Sequence, residues 1–241
     1  MKENKPAPPG PQKILVVDAG GSNIKLMLAG SKERIKFESG PRFTPRQLMA
    51  GIHAHAAAWD YDAVSLGLPT PVVHDKPVRE PNNVGRGWMK FDFPEAFGKP
   101  CKLINDAAMQ ALGSYEGGRM LFIGLGTGLG SAMVLDDVVV PMELGELSYS
   151  PQWTFENMLG REGRKRLGQE KWEEALARIV IILRKAFVTD YIVIGGGNAR
   201  RVDRLPKGAR PGDNRNAFLG GLRLWGISGR ADSKGHILVI R

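Results

Sequence analysis

The sequence predicts an α/β protein of two related lobes with a cleft between them. Two observations carry this reading. An order of strand, glycine turn, strand, strand, helix, strand, helix runs through residues 13–112 and then begins again through residues 113–225. The glycine turns, Gly20-Gly21 and Gly126 to Gly130, fall at the same place in each half, so a duplicated layout sets them facing one another. The 241-residue length suits two small lobes, and 42% hydrophobic with 24% charged residues is an ordinary globular composition.

The first half opens with Lys13-Ile14-Leu15-Val16-Val17-Asp18, a short β-branched run that stops at glycine and so reads as a buried strand. Ile24 to Leu28 resumes as a second strand, and Arg34 to Glu38 alternates as a third. Thr44-Pro45 supplies an N-cap and a proline at the first helical position, for a helix reaching about Trp59. Ala63 to Gly67 is a strand. Residues 69–100 are rich in Pro, Gly and Asn and read as a long functional loop with a short helix near Pro94–Phe97. Lys102 to Ile104 is a strand, and Asn105-Asp106 caps the next helix.

In the second half Met120 to Leu125 is a buried strand, Ala132 to Leu135 a second and Val138 to Val140 a third. Trp172, Leu176, Ile179 and Leu183 recur at helical spacing within a helix from about Gln169 to Phe187. Tyr191 to Ile194 is a strand ending in Gly195-Gly196-Gly197, and a last helix covers roughly Asn214 to Trp225. Residues 1–12 hold no apolar signal core and read as a disordered lead-in. Residues 226–241 form a polar tail whose Ile237 to Ile240 either adds an edge strand or stays loose.

Composition excludes little else. No run of 18 apolar residues is present, so a membrane partner is not expected. The single cysteine, Cys101, cannot form an internal disulfide; it reads as a buried structural thiol in a reducing cytoplasm. A formal net charge of +9 permits nucleic acid, a membrane surface or a phosphorylated substrate, and equally a basic surface kept for solubility. His53, His55, His74 and His236 show no metal-ligand spacing and read as surface residues.

Three constellations could carry chemistry. In Asp18-Ala19-Gly20-Gly21-Ser22-Asn23-Ile24-Lys25, glycines at a strand-to-strand turn bring backbone N–H groups close to an anion. Ser22 and Asn23 add donors, and Asp18 could hold a hydrated Mg²⁺. A plain hairpin is the competing reading. Gly126-Thr127-Gly128-Leu129-Gly130-Ser131 fits neither the P-loop nor the dinucleotide fingerprint, since it leads into a strand and lacks Gly-Lys-Ser/Thr. Its backbone donors and the Thr127 hydroxyl gain weight from the first loop at the matching position. Asn105-Asp106, at a strand end and helix start, offers a carboxylate that could take a hydroxyl proton during phosphoryl transfer, or simply a helix cap.

In their order and spacing these motifs resemble the ROK sugar-kinase family, and within it the polyphosphate glucokinases, from about Lys13 to Trp225. Asp18 to Lys25 resembles the family's first phosphate motif, and Leu125 to Ser131 its second. Pro81-Asn82-Asn83 with Trp88 resembles the sugar loop, Asn105-Asp106-Ala107 the catalytic motif, Glu143-Leu144-Gly145 the sugar contact, and Gly195-Gly196-Gly197 the turn beside the nucleotide base. The resemblance implies an actin-like ATPase (ribonuclease H-like) fold and phosphoryl transfer from ATP or polyphosphate to a hexose-like sugar, with Mg²⁺. It implies Asp106 as general base and Asn82, Asn105, Glu143 and Glu146 at the sugar. Gly20, Gly21, Ser22, Asn23, Lys25, Gly126, Thr127 and Gly128 would lie at the phosphates, Gly196, Gly197 and Asn198 at the adenine, and Asp18 at the metal. A homodimer is a further expectation by resemblance.

The departures are specific. The family follows Glu-x-Gly with His, where this chain has Glu146, a carboxylate that only accepts hydrogen bonds. That opens the acceptor to an amino sugar or another polyol. The sugar loop is altered at Asn83 to Gly87, and one cysteine cannot build the family's zinc site. The dozen residues before Lys13 are too few for the DNA-binding helix-turn-helix of some relatives. Basic clusters at Arg161, Arg164, Lys165, Arg166 and at Arg200, Arg201, Arg204 are a solvated face or a track for a long anion. Two other functions compete with the kinase. One is a non-catalytic sugar or sugar-phosphate binder on the same fold, motivated by Glu146. The other is a nucleic-acid binder, motivated by charge but without any recognisable module.

Overall fold

The computed structural model describes residues 13–136 and 138–226; the expected lead-in and the apolar run Ile237 to Ile240 lie outside them. In chain order the first lobe comprises β1 (Ile14–Ala19), β2 (Asn23–Leu28), β3 (Arg34–Glu38), α1 (Pro45–Ala56), β4 (Ala63–Leu68), the small hairpin β5 (Val72–Val73) and β6 (Lys76–Pro77), α2 (Phe93–Phe97), β7 (Cys101–Asn105) and α3 (Asp106–Ser114). The second comprises β8 (Met120–Leu125), β9 (Leu129–Leu135), β10 (Val138–Met142), β11 (Ser148–Ser150), β12 (Trp153–Thr154), α4 (Phe155–Leu159), α5 (Arg161–Phe187), β13 (Tyr191–Gly195), β14 (Ala209–Pro211) and α6 (Asn216–Arg223).

Each lobe is built on a five-stranded sheet, and the two sheets share one topology. The orders are β3-β2-β1-β4-β7 and β10-β9-β8-β13-β14. In both, the first three strands are antiparallel and the rest parallel. The central strands β1 and β4 are buried along their whole length, which is why they read as continuous apolar runs. This is the actin-like ATPase fold.

The helices start where their caps dictate. Thr44 Oγ1 accepts from Gln47 N while Gln47 Oε1 accepts from Thr44 N, a reciprocal cap that opens α1 with Pro45 in its first turn. That helix stops at Ala56, short of the expected Trp59, because the chain leaves in a turn closed by Trp59 N to Ala56 O. The last long helix starts earlier than its apolar stripe suggests, at Arg161, but its backbone breaks at Gly168, where φ is +75°. The stripe residues Trp172, Leu176, Ile179 and Leu183 all lie in the core beyond that break.

Three cores hold the molecule. Helices α1 and α2 cover the outer face of the first sheet, with Trp88 and Phe93 fully buried there. The outer face of the second sheet is covered by α4 and α5. Between the sheets lies a shared core to which Val16 and Met27 of one sheet and Phe122 and Val134 of the other both contribute. Helices α3 and α6 fill that layer. They cross closely because both carry glycine at the contact: a Cβ on Gly113 would collide with the Asn216 carbonyl, and one on Gly220 with the Met109 carbonyl. Although α6 follows the second sheet in sequence, it docks on the first. Ser65 Oγ donates to Gly221 O, Trp225 Nε1 donates to Ser65 Oγ, and Lys102 Nζ donates to Leu224 O.

Candidate active site

A cleft of about 390 Å³ opens at the carboxyl ends of the central strands of both sheets. It collects almost every residue singled out from the sequence. Asp18, Gly20, Gly21, Ser22, Asn23 and Lys25 line it from the first lobe, as do Asn82, Asn105 and Asp106. Gly126, Thr127, Gly128, Glu143, Gly196, Gly197 and Asn198 line it from the second. Glu146 is the exception: it is exposed at the end of a short 3-10 turn and does not line the cleft.

The two glycine turns meet across the cleft. The first is closed by Gly20 N donating to Asn23 O and is held from outside by Ser39 Oγ donating to Gly20 O, at 2.7 Å. The second is closed by Gly126 N donating to Gly128 O. Close approach needs glycine here, since a Cβ on Gly128 would run into the Glu156 carboxylate. Ser22 Oγ of one turn lies 3.1 Å from Thr127 Oγ1 of the other. Arg161 Nη2 donates to both hydroxyls, at 2.9 and 3.1 Å. The third glycine turn braces the second: Asn198 Nδ2 donates to Gly126 O and Asn198 N to Leu125 O. The side chain of Asn198 thus supports the loop as well as lining the cleft.

Asn105 and Asp106 divide the two roles that the dipeptide left open. Asn105 is the cap: its Oδ1 accepts from Ala108 N at 3.0 Å, and its Nδ2 donates to Thr70 O. Asp106, one residue on, faces the cleft. Its Oδ1 accepts from Ala107 N at 2.8 Å. Burial, and then the nearby Asp18 charge, push its carboxyl up to about 7; the Ala107 N–H and Lys25 only partly oppose this. A base that titrates there is half ionised at neutral pH, the range in which proton transfer is efficient. Asp18 is buried and accepts from Lys25 Nζ at 2.7 Å. Burial works against the Lys25 charge, yet Asp18 and Asp106 together hold that ammonium above its usual range.

The wall of the cleft around Glu143 carries residues that motif reading did not single out. Arg79 Nη2 donates to Glu143 Oε2 at 2.7 Å. Burial raises the Glu143 carboxyl, Arg79 opposes the rise, and Glu146 and Glu156 add to it. Glu156 Oε2 accepts from Leu129 N at 3.0 Å and crowds the Gly128 position. Asn83 lies deeper than the exposed Asn82 and packs beside Gly21. Arg79 lies in the long loop of residues 69–100, which has no periodicity, and Glu156 lies in the first turn of the five-residue α4, too short to show a period in the sequence. Trp88, by contrast, is wholly buried against Phe93 and belongs to the core.

The basic clusters split. Arg161 and Arg200 line the cleft, whereas Lys165 pairs with Glu162 and Arg166 lies over the Trp153 ring. Cys101 is half-buried, and desolvation pushes its thiol up to about 12, as a structural thiol requires. Among the described residues no group of three or more His, Cys, Asp or Glu could hold a metal ion, and no helix is long and apolar enough to cross a membrane.

The site combines two glycine turns facing one another across a cleft, a cleft carboxylate at a helix start and a polar wall around Glu143, and the resemblance to the ROK sugar kinases is borne out by comparison with known proteins. No protein-family model matches the chain. Among curated proteins it is similar to the polyphosphate glucokinase of Mycobacterium tuberculosis, at 25% identity over 209 residues covering 78% of each chain. Among solved structures it superposes on the inorganic polyphosphate/ATP-glucomannokinase of Arthrobacter sp. strain KM with a TM-score of 0.75, at 25% identity, covering 90% of this chain and 99% of that one. It also shares the fold of a ROK family glucokinase from Streptomyces griseus in complex with glucose and AMPPNP, with a TM-score of 0.71 and 16% identity.

Proposed function

We propose that the chain is a sugar kinase, moving a terminal phosphoryl group from ATP or polyphosphate to a hydroxyl of a hexose-like sugar. The observation that carries this is Asp106: a carboxylate with its acidity pushed up to about 7, set in the same cleft as both glycine turns. The sugar hydroxyl attacks the terminal phosphorus and its proton passes to the Asp106 carboxylate. A P–O bond forms to the sugar, the P–O bond to the rest of the donor breaks, and the leaving phosphate oxygen takes the electron pair. Backbone N–H groups of Gly21 and Gly128, with the hydroxyls of Ser22 and Thr127, stabilise the charge on the transferring group, while the Gly20 and Gly126 N–H groups close the two turns that present them. Asn82, Asn83 and Glu143 hold sugar hydroxyls. Gly196, Gly197 and Asn198 border a nucleotide base when the donor has one.

Mg²⁺ fits this donor set. It takes one or two carboxylates and fills its remaining positions with water and phosphate oxygens. Asp18 has one oxygen on Lys25 and its other free to receive a metal-bound water. When bound with the donor, the ion would neutralise phosphate charge. The cytoplasm, with its phosphate donors and reducing poise, is the proposed setting.

A sugar-binding protein without catalysis is less well supported, because Glu146, the feature that motivated it, lies outside the cleft lining. The test is a panel of glucose, mannose, glucosamine and N-acetylated hexosamines with Mg²⁺ and either ATP or polyphosphate. Transfer to at least one sugar that disappears in Asp106→Asn is the expected result. Sugar binding with no transfer from either donor would overturn the kinase reading.

A further inference from the structure

A second cavity of about 350 Å³ adjoins the main cleft, and the two share Gly21, Ser22, Asn82, Asn83, Thr127 and Arg161 as common wall. Its remaining lining is Ser39, Gly40 and Pro41, from the loop after β3. The two spaces differ in charge. Four carboxylates line the main cleft: Asp18, Asp106, Glu143 and Glu156. None lines the second cavity, where the polar groups are hydroxyls, carboxamides, loop backbone and the Arg161 guanidinium. Arg161 stands at the junction, donating to one hydroxyl from each lobe. Those are neutral acceptors for a charged, planar fork whose paired donors match the oxygens of a phosphate.

We propose that Arg161 is a donor-binding residue and that the second cavity is an anion subsite, holding the further phosphates of an inorganic phosphoanhydride chain while its terminal group lies between the glycine turns. The inference rests on the kinase reading for the identity of the terminal step, but the binding claim stands by itself. A phosphate chain lying across the junction takes the guanidinium from Ser22 and Thr127 and runs on into a space free of carboxylate repulsion. Bound this way, it also ties the two lobes together, since Ser22 and Thr127 come from different sheets.

Calorimetric titration of the whole protein with inorganic tripolyphosphate tests this without any turnover. Wild type should bind, and more weakly as salt is raised. Arg161→Gln should weaken binding by about tenfold or more, with Arg161→Lys recovering part of it as a point charge without the fork. Pro41→Glu, which adds a carboxylate at the rim of the second cavity and leaves the Arg161 contacts in place, should weaken it severalfold. In turnover assays the loss in Arg161→Gln should appear in the KM for polyphosphate, with the sugar KM unchanged. Unaltered tripolyphosphate affinity in Arg161→Gln would overturn the role of Arg161. Unaltered affinity in Pro41→Glu would overturn the second cavity as a subsite. A wild type that phosphorylates sugar from ATP but binds no tripolyphosphate would overturn the inference while leaving the kinase reading intact. Arg161-dependent tripolyphosphate binding without sugar transfer would do the reverse.

Discussion

Asp106 should cost the protein stability, and the cost should depend on pH in a defined direction. Its carboxyl is raised from 3.8 to about 7 in the folded protein. In the unfolded chain it titrates near its ordinary value, so between the two the folded state holds a proton that the unfolded state has lost. Stability therefore falls as pH rises through that window, and the full penalty is present above about pH 7. A difference of roughly three pH units sets a ceiling of about 4 kcal/mol. Water entering the open side of the cleft reduces this, so about 1–4 kcal/mol is expected at pH 8. Asp106→Asn removes the charge and keeps an Oδ1 to accept from Ala107 N. Urea unfolding of wild type and variant at a series of pH values isolates the effect. At pH 8 the variant should be the more stable by that amount, and the gain should shrink to under about 1 kcal/mol at pH 4.5. A variant no more stable than wild type at pH 8, or a gain independent of pH, would refute the account of Asp106 as a desolvated carboxylate beside the Asp18 charge.

The same carboxyl should govern turnover: kcat/KM should fall as pH drops below about 7, because the base must be ionised to accept the proton; a profile flat down to pH 5 would contradict it. Gly113→Ala should destabilise by about 3 kcal/mol or more, seen as a lowered melting temperature, because the added methyl meets the Asn216 carbonyl where α3 and α6 cross. Trp225→Phe deletes the Nε1 bond to Ser65 Oγ and should cost about 1–2 kcal/mol in urea unfolding. Cys101, with its thiol held near 12, should resist a thiol reagent at pH 8 in the folded protein and react once urea unfolds it.

Strands and turns were legible because they are local. Ile14 to Val17 and Met120 to Ile123 are continuous apolar runs bounded by glycine, and both are buried central strands. Thr44 and Pro45 marked a helix start through capping chemistry confined to four residues. The small hairpins β5–β6 and β11–β12, helix α4 and edge strand β14 were not read. Each is two to five residues long, too short to show a period.

The site divides along the same line. By itself the sequence determined the repeated order of elements, the two glycine turns and the carboxylate at Asp106, because each is a local pattern of residue types. Only the tertiary structure decided that Asn105 caps while Asp106 faces the cleft, that Glu146 stands outside it, and that Arg79 pairs with Glu143 across 64 positions of chain. It also decided that Arg161 bridges Ser22 and Thr127 rather than joining the solvated basic face. These are contacts between segments far apart in the chain. Their partners are set by how two sheets pack around α3 and α6, and no local pattern records that packing.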